Sequence, residues 1–130
     1  MNAARRLTLA LLPGEYAVCR LGPQAQIPQW ATRGPFYSVT RTASELSIIC
    51  AERDVPAGVP RAGGWRLIAF EGVFEFSETG VLTAVAVPLA DAGVSIVALS
   101  THDTDYIMIR AGQLDRGLEV MTAAGHDVRR

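Results

Sequence analysis

The chain has 130 residues, a formal net charge of −1 and 49% hydrophobic residues, which fits one domain or two very small units sharing a core. The near-neutral charge excludes the basic excess with which proteins usually attract nucleic acids or anionic membranes. No apolar run reaches the roughly 18 residues of a membrane span, and apolar residues 7–12 are too few for a signal-peptide core. We therefore predict a cytoplasmic protein with neither a nucleic-acid nor a membrane partner.

The first half of the chain is typical of short strands with little helix between them. A segment at residues 24–32 can form only a short helix, because Pro28 interrupts it. Cys19 and Cys50 lie in apolar runs and match no zinc-binding spacing, so we expect buried, reduced thiols. Four runs of residues are predicted to be strands: 7–12, 15–21, 36–42 and 46–51.

The segment between the two halves is rich in turn-forming residues. Residues 53–64 contain two prolines and three glycines, a composition that favours turns over helix or strand. We therefore predict an N-terminal unit over residues 1–62, with this linker at its end, and a C-terminal unit over residues 63–130.

The C-terminal half begins with a strand at residues 65–70 that continues into a loop at 71–76. A helix is expected to follow and to run to about Ala92, with Ser77 or Thr79 as its N-terminal cap. Gly93, which supplies the exit from this helix, precedes two apolar strands.

A β-hairpin is predicted between residues 92 and 109, with its polar bend at Thr101 to Asp105. An amphipathic helix at residues 113–124 and a brief strand at 126–128 complete the order β-α-β-β-α-β. This order is ferredoxin-like, an α+β antiparallel sheet in which right-handed crossovers place both helices on one face and strand one beside strand three. Residues 36–49 align with 96–109, which suggests two such units in tandem.

The hairpin bend carries more polar groups than a turn requires. Asp103 and Asp105 can stabilise the turn, bind a ligand or act in acid–base catalysis. Catalysis or metal binding is the least favoured interpretation, because His102 alone lies near these carboxylates in the sequence. His126 is expected to be a capping or surface group beside the helix end.

The segments 79–82 and 88–96 resemble the helix and second strand of an ACT domain. Residues 100–107 are similar to the hairpin of a bacterial subfamily with two tandem ACT-like units, related to the ACT repeats of a eukaryotic cytosolic arginine sensor. The resemblance implies a ligand site formed by the loop after the first strand and by the hairpin: Gly72, Val73, Phe74, Ser100, Thr101, His102, Asp103, Thr104 and Asp105.

The resemblance also implies a function. ACT domains are regulatory modules that commonly bind amino acids where two units meet, so the expected protein is a non-catalytic amino-acid sensor, a homodimer without a cofactor. Free amides in a glycine-containing loop can hold a carboxylate, and a hairpin carboxylate can accept bonds from an ammonium group. The alternative is a structural or interaction module that dimerises without a ligand.

Overall fold

The computed structural model describes residues 5–130, and its internal contacts divide the chain into two compact units. The larger unit contains residues 5–13 and 66–130, and the smaller unit contains residues 14–65. The strands and α-helices are β1 (Thr8–Leu11), β2 (Tyr16–Leu21), β3 (Ser38–Arg41), β4 (Leu46–Ala51), β5 (Ala62–Phe70), α1 (Thr83–Asp91), β6 (Ile96–Ser100), β7 (Asp105–Arg110), α2 (Leu114–Ala123) and β8 (Asp127–Arg129).

The smaller unit is an antiparallel arrangement in the order β3-β4-β2, followed by residues 62–65 at the start of β5. Its predicted weak helix is a single 3-10 turn at Gln29–Thr32, consistent with the interruption by Pro28. Cys19 and Cys50 are free and buried, as predicted, in a core that also contains Leu46 and Ile48. Burial raises the pKa of the Cys50 thiol to about 11 and also raises the pKa of Cys19.

The larger unit contains a five-stranded sheet in the order β6-β7-β5-β1-β8, together with both α-helices. Strand β5 pairs with β7, so the predicted neighbours, strands one and three of the C-terminal half, are confirmed. The apolar face of α2, with Leu118 and Met121, shares one core with Val85 and Leu89 of α1 and with Phe70 of β5. This is the α+β, ferredoxin-like architecture predicted from the order of elements.

Strand β1 packs in the larger unit, whereas the sequence analysis placed residues 7–12 in the N-terminal unit. It pairs antiparallel with β5 and parallel with β8, so that Leu9 lies opposite both Phe70 and Val128. Leu7 and Leu9 are buried in the core of this unit. The burial of these leucines accounts for the different assignment, because an apolar run does not specify which sheet it joins.

Helix α1 begins later than predicted. Its first residue is Thr83, and no side chain caps its N-terminus, so the expected caps Ser77 and Thr79 are wrong. The helix ends at Asp91, and Gly93 follows with a positive φ of 74°, the left-handed conformation expected at a helix exit. Residues 71–82 therefore form a long connection, named here the cleft loop.

His126 is buried, with 4% of its surface exposed, so its predicted place on the surface is wrong. Its Nδ1 accepts the backbone N–H of Leu7 at 3.1 Å, and its Nε2 lies 2.8 Å from the carbonyl oxygen of Ala84. Both bonds form together only when the ring carries its proton on Nε2. The imidazole thus joins the start of β1 to α1 inside the core.

Replacing His126 by alanine should destabilise the protein strongly, because it leaves the Leu7 N–H and the Ala84 carbonyl buried without partners. We expect His126→Ala to lower the free energy of unfolding by about 2–4 kcal/mol in urea denaturation. His102→Ala is the matched control, since that side chain is 84% exposed, and its expected change is within about 0.5 kcal/mol. Equal effects of the two substitutions would contradict the role assigned to His126.

The two thiols should react slowly in the folded protein. At pH 8 the Cys50 thiol, with its pKa of about 11, is about one part in a thousand thiolate, against about one quarter for an unperturbed cysteine. We expect alkylation of Cys50, followed by mass spectrometry, to be at least ~100-fold slower in buffer than in denaturant, and alkylation of Cys19, whose pKa is also raised, to be slower in buffer as well. Similar rates in both solutions would show that the thiols are accessible.

Candidate ligand-binding site

A small cleft lies where the cleft loop meets the tip of the β6–β7 hairpin, residues 101–104, both within the larger unit. Its volume is about 190 Å³, roughly that of six water molecules. One wall comes from the cleft loop, and the other from the hairpin. The lining residues are Phe74, Glu75, Phe76, Glu78, Val81, Ser100, Thr101, His102, Asp103, Thr104 and Asp105.

Two hydrogen bonds hold the walls together. The backbone N–H of Phe74 donates to the carbonyl oxygen of Asp103 at 2.7 Å. The hydroxyl of Thr104 donates to the carbonyl oxygen of Phe70, at the end of β5, at 2.6 Å. The loop and the hairpin named in the sequence analysis are therefore neighbours in the fold.

Part of the polar character of the hairpin stabilises the hairpin itself. The backbone N–H of Thr101 donates to the carbonyl oxygen of Thr104 at 2.8 Å, and the hydroxyl of Thr101 also bonds across the turn. The Ser100 hydroxyl donates to Oδ1 of Asp105 at 2.6 Å. These bonds fix the positions from which the Asp103 and Asp105 carboxylates border the cleft.

The loop side of the cleft differs from the predicted site. Gly72 and Val73 are not among the lining residues, although Phe74 is. Gly72 has a positive φ of 109°, so it bends the chain rather than forming a wall. The wall continues instead through four residues that the sequence analysis did not include: Glu75, Phe76, Glu78 and Val81. Glu75 and Phe76 belong to the predicted loop at 71–76, whereas Glu78 and Val81 were expected in the helix, which begins only at Thr83.

Carboxylates dominate the charge of the cleft, with contributions from Glu75, Glu78, Asp103 and Asp105. Glu78 Oε1 pairs with Nη2 of Arg5 at 2.9 Å, and its Oε2 accepts the backbone N–H of Glu75 at 2.6 Å. The bond from Arg5, followed by the bond from Glu75, lowers the pKa of the Glu78 carboxyl below its ordinary value of 4.5.

The rim of the cleft is apolar and exposed. Phe76 is 80% exposed and its ring contacts the His102 imidazole edge to face, with the ring centroids 5.1 Å apart. Val73, beside the cleft, is 76% exposed. Isolated exposed side chains are common, but two large ones in the same loop, one of them lining the cleft, indicate a surface suited to further contacts.

Residues 5–130 contain no group of three or more His, Cys, Asp or Glu side chains arranged to hold a metal ion. None of the helices formed by these residues is long and apolar enough to cross a membrane.

Fold and cleft together define a ferredoxin-like α+β protein with a small, acid-lined cavity at the end of its sheet. Comparison with known families gives a more specific assignment. A family model described as an ACT domain matches residues 62–122, and a model described as the N-terminal domain of another family matches residues 14–58. The chain therefore contains an ACT domain, at residues 62–122.

Solved structures agree with this assignment. The crystal structure of a protein from Agrobacterium tumefaciens has 38% sequence identity and a TM-score of 0.91, and the match covers 96% of this chain and 93% of that one. A Vibrio cholerae protein of unknown function, described as a possible transport protein, has 18% identity and a TM-score of 0.74. The match covers 91% of this chain and 89% of that one. The ligand-free regulatory subunit of aspartate kinase from Thermus thermophilus has the same fold at 14% identity and a TM-score of 0.62. The match covers 92% of this chain and 99% of that one.

The contacts of Glu78 should depend on pH. Because the pKa of its carboxyl is lowered, its bonds to Arg5 and Glu75 are intact at neutral pH and are lost as the pH falls through that lowered value. We expect an NMR titration to give a Glu78 midpoint below 4.5. Arg5→Gln should move the midpoint upward, and a wild-type midpoint at or above 4.5 would contradict the assignment.

Proposed function

We propose that this chain is a non-catalytic regulatory protein of the cytoplasm that binds a free amino acid in the cleft. The observation that carries the proposal is the meeting of the cleft loop and the hairpin tip around a polar cavity of about 190 Å³. The ACT domain at residues 62–122 supports it, as does the fold shared with a regulatory subunit of aspartate kinase.

The chemistry of the walls suits a small zwitterion. Asp103 and Asp105 supply carboxylates for an ammonium group, and a charge-assisted bond of this kind is about twice as strong as a neutral one. Phe74, Phe76 and Val81 supply apolar contacts for a side chain. The cavity is smaller than a typical drug-sized pocket of about 300–1,000 Å³, which favours a ligand of amino-acid size.

The hydrogen bonds of the cleft hydroxyls favour binding over catalysis. Ser100 bonds to Asp105, while Thr104 bonds to a backbone carbonyl. A nucleophilic hydroxyl is normally activated by a neighbouring base such as histidine, whereas His102 is paired with Asp103 at 2.9 Å. We infer that these groups orient a ligand and that the output is a change in assembly or in a partner.

A second copy of the chain would complete the site. Phe76, which lines the cleft, and Val73 of the same loop are both exposed, and a partner molecule would cover them together with any bound ligand. A ligand enclosed in this way links its own binding to dimer stability, which is a direct route to regulation.

The same exposed residues favour a second candidate, a structural module that dimerises through this rim without a ligand. Under this alternative Asp103 and Asp105 serve only the turn. The two candidates differ in whether a small molecule changes the stability or the assembly of the protein.

Thermal-shift screening with the twenty amino acids at millimolar concentration should identify at least one that raises the melting temperature by several degrees. Calorimetry with that amino acid should then show about tenfold weaker binding to the double variant Asp103→Asn, Asp105→Asn, because each amide lacks the charge that attracts an ammonium. Asp91→Asn, at the end of α1 and outside the cleft, is the matched control and should bind as the wild type does.

Two results would count against amino-acid sensing. The first is the absence of any stabilisation by the twenty amino acids. The second is an unchanged affinity when both cleft aspartates are replaced. A dimer that persists in light scattering with all ligands absent, combined with the first result, would favour the structural module.

A further inference from the structure

We propose that the Glu78 carboxylate occupies a carboxylate site that belongs to the ligand cleft, and that the carboxylate of a bound amino acid replaces it there. This site, formed by the Arg5 guanidinium and the backbone N–H of Glu75, is named here the carboxylate site. The existence of the carboxylate site is argued from geometry alone. The replacement of Glu78 by an amino acid rests on the proposed function.

The bonds of Glu78 match those that a ligand carboxylate would need. One oxygen accepts from Nη2 of Arg5 at 2.9 Å and the other from the backbone N–H of Glu75 at 2.6 Å. A guanidinium and an amide acting on separate oxygens fix both the position and the orientation of a carboxylate. The Glu78 side chain lines the cleft and is 30% exposed, so it can leave the site for water.

Arg5 is held in place by contacts that do not involve Glu78. Its Nη1 donates to the carbonyl oxygen of Thr79 at 3.3 Å, and its guanidinium carbon lies 5.8 Å from the centroid of the Phe74 ring. These contacts keep the cation in position when Glu78 moves away, so an incoming carboxylate meets a preorganised partner.

The charge of the cleft explains why such a site is needed. Its four lining carboxylates attract the ammonium group of an amino acid but repel its carboxylate. The Arg5 guanidinium pairs with the lining residue Glu78 and so supplies a positive charge that can offset this repulsion. The ammonium group of a zwitterion can therefore bind Asp103 and Asp105 on the hairpin wall. Its carboxylate can bind the carboxylate site on the loop wall.

The Glu78 carboxylate competes with a free carboxylate for the carboxylate site. The proposal therefore predicts the direction in which removal of Glu78 changes ligand affinity. A group tethered close to its site acts at an effective concentration in the millimolar range or above. Removing Glu78 should therefore strengthen the binding of a free carboxylate. If Glu78 instead only supports the loop, its removal should weaken binding or leave it unchanged.

Acetate tests the carboxylate site without reference to amino acids. We expect ¹⁵N NMR of Glu78→Ala to show a saturable acetate shift of the Glu75 amide, at least about tenfold tighter than in the wild type. Adding Arg5→Gln should abolish this shift, and sodium chloride at equal ionic strength should not reproduce it. Glu71→Ala is the matched control, since it removes a carboxylate and its ion pair with Arg129 from the same loop but outside the cleft lining.

Equal acetate shifts in the wild type, Glu78→Ala and Glu71→Ala would overturn the carboxylate site. Glu78→Gln provides a second variant that keeps the size of the side chain, and circular dichroism with thermal melting establishes that each variant is folded. Gln should also favour acetate, because an amide has no negative charge with which to hold the Arg5 guanidinium.

The amino acid found by thermal-shift screening tests the replacement step. Glu78→Ala should bind it about tenfold more tightly than the wild type does, whereas the matching amino-acid amide, which lacks the carboxylate, should bind Glu78→Ala no more tightly than the wild type. Equal affinity for the amino acid overturns the replacement while the proposed function stands. If acetate saturates Glu78→Ala but no amino acid binds either protein, the proposed function fails and the carboxylate site remains.

Discussion

The position of β1 between β5 and β8 is the constraint on which the rest of the larger unit depends. Its pairings place Leu7 where the buried His126 accepts its N–H, and they place the carbonyl of Thr8 where the N–H of Glu71 donates to it. The second of these bonds fixes the start of the cleft loop. The first residue of the described chain, Arg5, consequently reaches the loop and pairs with Glu78.

Much of the larger unit follows from local sequence patterns. The β6–β7 hairpin was predictable because two apolar β-branched runs flank a short polar bend, and α2 because its leucines recur at helical spacing. The ends of both helices were indicated by Gly93 and Gly125, which adopt the positive φ that few other residues tolerate. In these segments local preference and tertiary structure agree.

The features that local patterns missed are set by distant partners. The sequence around Ser77 and Thr79 looks like a helix start, yet Glu78 turns back to bond the N–H of Glu75, and α1 begins only at Thr83. His126 is buried because Leu7 and Ala84, far away in the chain, supply its two hydrogen bonds. The predicted loop residues Gly72 and Val73 lie outside the cleft lining, whereas the six predicted hairpin residues, Ser100 to Asp105, all line it.

Under the proposed function, the pairing of Glu78 with Arg5 also bears on how a sensor is tuned in evolution. A metabolite sensor is useful only when its response falls within the range over which its metabolite fluctuates in the cell. A tethered competitor shifts that operating range without altering any group that touches the metabolite, because it changes only the fraction of molecules that are open to binding. Selectivity and sensitivity then reside in different side chains, and each can drift or be selected independently.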